Sequence, residues 1–115
     1  IKGIMKVFSF QDIQSVNQDN FFNWCQQNLL WEKDEWVVFS LDCDALNSSI
    51  MEGVSAVNPN GLSSWQVETI LSYYLSKISS QQRAVIGLYE YNPIFDNLNQ
   101  KGSRYLASLL LQALS

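Results

Sequence analysis

Hydrophobic residues along the chain follow two different spacings, and the first of them predicts strands. Runs rich in β-branched and aromatic residues, bounded by polar turn residues, are typical of β-strands. The run from Trp36 to Leu41 is apolar almost without a break, which is typical of a strand covered on both faces in a parallel sheet. Strands are predicted at residues 4–10, 36–41 and 83–91.

The second spacing, in which apolar residues recur every three or four positions, predicts amphipathic helices. Ser63 and Gln66 match the S-x-x-Q capping box that opens a helix. Between the second strand and this helix, residues 44–62 are rich in Asn, Ser, Gly and Pro and predict a long loop. Helices are predicted at residues 19–31, 63–78 and 103–114.

The predicted elements alternate in the order β-α-β-α-β-α. This alternation predicts a three-layer α/β/α fold with a parallel sheet, because a helix that connects two parallel strands has to cross over the sheet. Residues 1–115 show no internal repeat and no linker, so we interpret them as one domain. The chain begins with Ile1 rather than Met, and we expect it to be a fragment of a longer domain.

The composition argues against several classes of partner. With 47% hydrophobic and 13% aromatic residues, the chain can bury a core and does not belong to the disordered class. Its net charge of −4 argues against nucleic acid, because phosphate binding needs a basic surface. No apolar run approaches the roughly 20 residues of a membrane helix, so no membrane partner is expected.

Cysteine and histidine narrow the chemistry further. Cys25 and Cys43 lack the spacing of a disulfide or metal motif, which favours free thiols in a reducing compartment and therefore a cytoplasmic location. The sequence has no histidine, so this chain cannot hold a Ser-His-Asp site, a Cys-His site or an imidazole metal ligand. Any chemistry in the chain has to use carboxylates.

Acidic side chains follow two of the predicted strands at their carboxyl ends, where ligands bind in open parallel sheets. Asp42 and Asp44 are two positions apart, so in an extended chain both point to one side while Cys43 points to the other. Paired carboxylates suit Mg²⁺ or Mn²⁺, and the simpler alternative is an Asx-turn beside a solvated charge. Glu90 closes the next strand, either orienting a cationic substrate or serving as an ordinary surface charge.

Together these motifs resemble the ureohydrolase family of arginase, agmatinase and formimidoylglutamase. Residues 40–46 (Ser-Leu-Asp-Cys-Asp-Ala-Leu) are similar to the family signature S-[FL]-D-x-D-x-L, and residues 90–93 (Glu-Tyr-Asn-Pro) are similar to its E-x-N-P stretch. Residues 53–56 (Gly-Val-Ser-Ala) resemble the G-V-S-A-P loop of formimidoylglutamase, and residues 91–96 resemble its Y-N-P-x-x-D. The resemblance covers nearly the whole chain and is greatest to formimidoylglutamase.

The resemblance implies an arginase-like fold and a manganese-dependent hydrolase of which this chain is the C-terminal part. Asp42 and Asp44 would be ligands of a binuclear Mn²⁺ centre, with Mg²⁺ the less favoured ion, and the metal-bound hydroxide would attack an amidine or guanidine carbon. Glu90 would match the position that binds the cationic C–N group of the substrate. The implied small-molecule substrate is N-formimidoyl-L-glutamate, an intermediate of histidine metabolism that would yield glutamate and formamide, with arginine or agmatine as alternatives.

The sequence also departs from the family pattern. Asn47-Ser48 stands where D-P is common, Val57 replaces the loop proline, and Gly102-Ser103-Arg104 replaces the usual T-A. The family draws its histidines and further aspartates from G-G-D-H and D-A-H-x-D motifs, and neither motif occurs here. We therefore expect only part of a site, no activity from the chain alone, and association with itself or with a missing N-terminal part.

Two other classes of function stay open. A Mg²⁺-dependent phosphotransferase of the haloacid dehalogenase type also places D-x-D after a strand. That motif usually continues with Thr or Val where this chain has Leu46, and its downstream Lys and Asp pair is not evident. A non-catalytic, acidic α/β interaction module would need neither metal nor substrate.

The family sheet also makes a topological prediction. Residues 36–41 and 85–90 should pair as parallel neighbours, and residues 4–10 should pair with neither of them. Antiparallel pairing of the two motif strands would contradict the resemblance.

Overall fold

Four helices and two strands form the described part of the chain. The computed structural model describes residues 6–32, 36–51, 53, 61–78, 84–89, 91 and 100–114. A 3₁₀ turn, Cys43–Ala45, follows the first strand directly. None of the helices in these ranges is long and apolar enough to cross a membrane. In chain order the elements are α1 (Phe10–Gln14), α2 (Gln18–Asn28), β1 (Val37–Asp42), α3 (Ser64–Lys77), β2 (Ala84–Tyr89) and α4 (Lys101–Leu114).

The two strands pair in parallel, with Val37 opposite Ala84 at one end and Asp42 opposite Tyr89 at the other. Because α3 lies between them in sequence, β1, α3 and β2 form the crossover unit that the alternating pattern predicts. The predicted parallel pairing and the α/β fold class are both confirmed. Lys6 to Phe10, the described part of the first predicted strand, forms no strand and pairs with neither β1 nor β2.

One face of this sheet is covered and the other is open within the described residues. Side chains alternate along β1, so Val37 and Leu41 are buried while Val38 between them is 58% exposed. The sequence predicted that both faces of this strand would be covered. Within the described residues α3 packs on one face, through Val67 and Leu71, and the other face is uncovered, so cover on both faces stays a prediction.

Helix α3 is the centre of the core. On the sheet side, Tyr74 lies against Phe39 with 5.5 Å between ring centroids. On the other side, Phe21 and Cys25 of α2 pack against Tyr73. At the start of α3, the Gln66 side chain accepts a hydrogen bond from the Ser63 backbone N–H at 2.8 Å, as the capping box predicts.

The first predicted strand is absent from the described residues. Residues 6–9 adopt no regular structure, Phe10 begins α1, and Val7 is 78% exposed. The reason is a local capping signal that outweighs the strand propensity. The Ser9 hydroxyl accepts from the Asp12 backbone N–H at 3.1 Å, and the Asp12 carboxylate accepts from the Ser9 backbone N–H at 2.9 Å. In the described residues the order therefore begins α-α-β rather than β-α-β.

The Tyr74 hydroxyl links α3 to both strands by hydrogen bonds, and its removal should destabilise the fold. It is hydrogen-bonded to the carbonyl of Val37 in β1 at 2.9 Å and to that of Val85 in β2 at 3.2 Å. Tyr74→Phe should lower the free energy of unfolding by about 1–2 kcal/mol, because two strand carbonyls lose this donor inside the fold. Urea denaturation measures the loss. Tyr89→Phe is the control, since Tyr89 is 53% exposed and should show almost no change; equal losses in both variants would contradict the role given to Tyr74.

Candidate metal site

Asp42 is the last residue of β1 and lies at the carboxyl edge of the sheet. The parallel register brings it opposite Tyr89, the last residue of β2, so both strands end at the same edge. Its side chain is exposed, on the open face that also carries Val38. Ligands bind at this edge in open parallel sheets. The position that the sequence predicted for Asp42 is therefore the position it has in the fold.

Asp44 lies in the 3₁₀ turn immediately after β1. The sequence predicted a loop from Asp44 onward, and the chain does leave the extended conformation here, because the backbone N–H of Leu46 donates to the Cys43 carbonyl at 3.2 Å. Burial nevertheless alternates as expected: Cys43 is completely buried, whereas Asp42 is exposed and Asp44 is partly buried. Both carboxylates therefore lie outside the core that receives Cys43.

The turn that carries Asp44 is held by the segment that leads into α3. Leu46 and Leu62 form a parallel bridge, in which the Asn47 N–H bonds the Leu62 carbonyl and the Leu62 N–H bonds the Ala45 carbonyl, each at 2.8 Å. Gly61 makes this approach possible. A Cβ atom on Gly61 would lie only 2.6 Å from the carbonyl oxygens of Ala45 and Leu46.

Sequence reasoning did not single out Gly61. The signal available for it was the Asn60-Gly61 pair, since Asn-Gly marks tight turns. What that pair could not reveal is the nearby backbone, which lies about fifteen residues earlier in the chain, at Ala45 and Leu46. The close packing behind the aspartates is therefore a product of tertiary structure.

The donor chemistry of the aspartates suits a divalent metal, and the described ligand set is incomplete. Carboxylate oxygens are hard ligands of the kind that Mn²⁺ and Mg²⁺ prefer. Within the described residues, no group of three or more His, Cys, Asp or Glu side chains could hold a metal ion. Glu90 and residues 54–60 of the Gly-Val-Ser-Ala loop lie outside the described residues. The predicted convergence of Glu90 with Asp42 and Asp44 therefore stays a prediction.

The buried thiols do not offer an alternative reactive group. Cys25 is completely buried between α2 and α3. Burial raises the pKa of its thiol to about 11, so the nucleophilic thiolate is scarce at neutral pH. Cys43, which stands between the two aspartates in the sequence, is also completely buried. Both cysteines are packed in the hydrophobic core. The carboxylates therefore remain the candidate catalytic or metal-binding groups.

The comparison with protein families decides which of the predicted classes applies. The sequence profile of the Arginase family matches residues 2–115, which is almost the whole chain. The chain belongs to the Arginase family. Nothing in the comparisons supports the phosphotransferase or the non-catalytic interaction module. A search of curated protein sequences gives no significant match.

Solved structures show the same fold. Formimidoylglutamase from Bacillus subtilis superposes with a TM-score of 0.78 at 23% identity, and the match covers 95% of this chain and 32% of that one. Arginase from Bacillus subtilis superposes with a TM-score of 0.74 at 21% identity, covering 96% and 38%. Agmatine ureohydrolase from Thermoplasma volcanium gives a TM-score of 0.66 at 20% identity, covering 91% and 32%.

This arginase-family chain spans about a third of the length of these relatives. The similar structures include a formimidoylglutamase, an arginase and an agmatine ureohydrolase, so the likeness establishes the arginase-like α/β fold without selecting one substrate. Family members are generally built around a binuclear manganese centre. The carboxylate pair at the carboxyl edge of β1 matches the ligand type that such a centre needs.

Proposed function

We propose that this chain is the C-terminal part of a manganese-dependent ureohydrolase whose substrate is N-formimidoyl-L-glutamate. The observation that carries the proposal is the pair of carboxylates at the carboxyl end of a parallel strand of an arginase-family chain: Asp42 ends the strand and Asp44 lies in the turn that follows. Formimidoylglutamate is favoured by the sequence of residues 53–56 and 91–96, which resembles formimidoylglutamase. Arginine and agmatine are the alternative substrates.

In this proposal each acidic residue has a separate task. Asp42 and Asp44 would hold Mn²⁺, and the metal would activate water as the nucleophile at neutral pH. The bridge between Leu46 and Leu62 holds the backbone turn that carries Asp44, whose side chain is partly buried. Glu90 orients the substrate through its cationic C–N group.

The open face of the sheet suggests the partner. Four large side chains lie exposed on or beside it: Trp36 (60%), Val38 (58%), Val85 (44%) and Tyr89 (53%). A two-stranded sheet with an uncovered apolar face is marginal by itself and invites further pairing. Because relatives of the same fold are about three times as long, we propose that the N-terminal part of an arginase-like domain covers this surface, in the cytoplasm. Self-association of the chain is the alternative, and light scattering of the chain alone distinguishes the two.

The substrate is tested by assaying products. The Mn²⁺-loaded protein that carries this chain together with an arginase-like N-terminal part is incubated separately with formimidoylglutamate, arginine and agmatine. Formamide should be released from the first, whereas urea from either of the others would reassign the substrate. Release of neither product by a folded, manganese-loaded protein would overturn the hydrolase proposal.

The chain alone should bind manganese weakly and show no turnover. Two carboxylates provide only part of a coordination sphere, and a binuclear centre needs ligands on both sides. Calorimetric titration of the 115-residue chain with Mn²⁺ should therefore give a dissociation constant no tighter than about 0.1–1 mM, the weak end of the affinity range. Tight binding of two ions, or hydrolysis by this chain, would contradict the incomplete ligand set.

A further inference from the structure

A groove of about 470 Å³ lies between α2, α3 and α4, and neither aspartate of the candidate metal site lines it. The groove is largely open to solvent. Two aromatic side chains, Phe22 and Trp65, form part of the wall, and Glu68 supplies a carboxylate. The remaining described lining residues are Gln, Thr and Ser, and none is basic. The groove therefore combines aromatic surface with a single negative charge.

The aromatic wall is fixed by the core. Trp65 packs edge-on against Phe21, with 5.3 Å between ring centroids and an interplanar angle of 83°. Phe21 is completely buried and stacks on Trp24 at 5.5 Å. Phe21 cannot move without disrupting the core. Because Trp65 packs against Phe21, the Trp65 ring is held in a fixed position and presents a preformed surface.

The opposite side of the groove is fixed by hydrogen bonds between two helices. The Gln112 side chain of α4 donates to the Ser72 hydroxyl at 2.9 Å and to the backbone carbonyl of Glu68 at 3.4 Å, both on α3. These bonds involve the backbone of Glu68 and leave its carboxylate at the groove. The spacing between α3 and α4 along this stretch is therefore set before any ligand arrives.

Within the described residues the Glu68 carboxylate forms no ion pair or hydrogen bond, so the protein supplies no cation to it there. The nearby titratable group on α4 is Tyr105, whose hydroxyl is buried without a hydrogen-bond partner in the described part of the chain. Burial raises the pKa of Tyr105, and the negative charge of Glu68 raises it further. The Tyr105 phenol therefore stays neutral near pH 7 and supplies no charge to pair with Glu68, which lines the groove.

We propose that this groove binds a small guanidinium compound, with the cation paired to Glu68 and the planar head against Trp65 and Phe22. A guanidinium group suits these walls because it stacks on aromatic faces and forms two parallel hydrogen bonds with a carboxylate. The site is separate from Asp42 and Asp44, so it does not depend on the proposed hydrolase activity.

The experiment uses N-butylguanidinium and its neutral, nearly isosteric counterpart butylurea. Each is titrated into the complete 115-residue chain, and the indole N–H of Trp65 and the amides of residues 65–72 are followed by NMR. N-butylguanidinium should give saturable shifts at these positions, at least ten times tighter than butylurea. Raising the salt concentration should weaken its binding, because the pair with Glu68 is partly exposed.

Two matched variants isolate the charge. Glu68→Gln should weaken N-butylguanidinium binding about tenfold, a loss of about 1.4 kcal/mol by the usual conversion. Asp19→Asn removes an exposed acid in the first turn of α2 that does not line the groove, and it should change the affinity less than about twofold. Equal binding of butylurea, equal binding by Glu68→Gln, or shifts centred on Asp42 and Asp44 would each overturn the proposal. Because Glu68 is exposed, its replacement leaves the fold intact, which a urea denaturation curve verifies.

Discussion

Replacing either Asp42 or Asp44 by asparagine should lower kcat of the manganese-loaded, complete hydrolase by more than about 100-fold. The substitution keeps the size of the side chain and removes its negative charge, which a metal ligand needs in order to hold Mn²⁺ and a bound hydroxide. Even the mutation of a residue that only hydrogen-bonds a metal ligand typically lowers metal affinity or activity by about 10- to 100-fold. Replacing a direct ligand should therefore lower kcat by more than that.

The control is Asp19→Asn, which removes one negative charge from an exposed position in the first turn of α2. It should leave both kcat and the metal content unchanged. Metal content is measured after gel filtration, together with kcat, because a ligand substitution should lower both. If Asp44→Asn kept its manganese and more than half of the wild-type rate, Asp44 would not be a ligand and the assignment of the aspartate pair would fail.

The central part of the fold could be predicted from sequence because several local signals agree there. The apolar run before Asp42 predicted β1, and the capping box at Ser63 and Gln66 predicted the start of α3. The resemblance to ureohydrolases then predicted that β1 and β2 pair in parallel, which the structure confirms. Where strand propensity, helix capping and topology all favour the same structure, the local sequence pattern is enough to predict the elements.

The errors occur where two signals of similar strength compete. Residues 4–10 have strand propensity, yet the reciprocal bonds between Ser9 and Asp12 start a helix at Phe10. No described strand pairs with Val7 to offset that local preference. Strand propensity depends on partners, whereas a helix cap is satisfied within four residues, so the cap prevails here.

For the candidate site, the position of Asp42 in the fold could be predicted from sequence, whereas the backbone geometry at Asp44 could not. The D-x-D motif placed Asp42 correctly at the end of β1, but the 3₁₀ turn at Asp44 depends on backbone bonds to residue 62, which is distant in sequence. Period-two alternation describes a strand only while the chain stays extended. The position of a strand-end motif is therefore easier to predict than the directions of its side chains.

The same distant contact leads to the largest expected effect on stability: Gly61→Ala should lower the free energy of unfolding by about 3 kcal/mol. The added Cβ would lie 2.6 Å from the carbonyl oxygens of Ala45 and Leu46, far inside van der Waals contact. These are backbone atoms held by two hydrogen bonds of 2.8 Å between residues 45–47 and Leu62, so they cannot rotate away as a side chain would. Overpacking of this kind costs about 1–3 kcal/mol, and an immobile neighbour places it at the upper end.

Gly87→Ala is the matched control. The Cβ atom added at Gly87 would lie 2.6 Å from Cε2 of the Tyr89 ring. Unlike the backbone beside Gly61, that ring belongs to a side chain that is 53% exposed. The Tyr89 ring can swing outward, so this variant should change stability by less than about 1 kcal/mol. Thermal denaturation should therefore show the melting temperature of Gly61→Ala lowered by about 10 °C or more, with Gly87→Ala close to wild type.

In the manganese-loaded hydrolase, Gly61→Ala should also weaken metal binding, since the bridge between Leu46 and Leu62 holds the turn that carries Asp44. Unchanged stability in Gly61→Ala would mean that the segment before α3 does not contact this turn, and the support proposed for Asp44 would be lost with it.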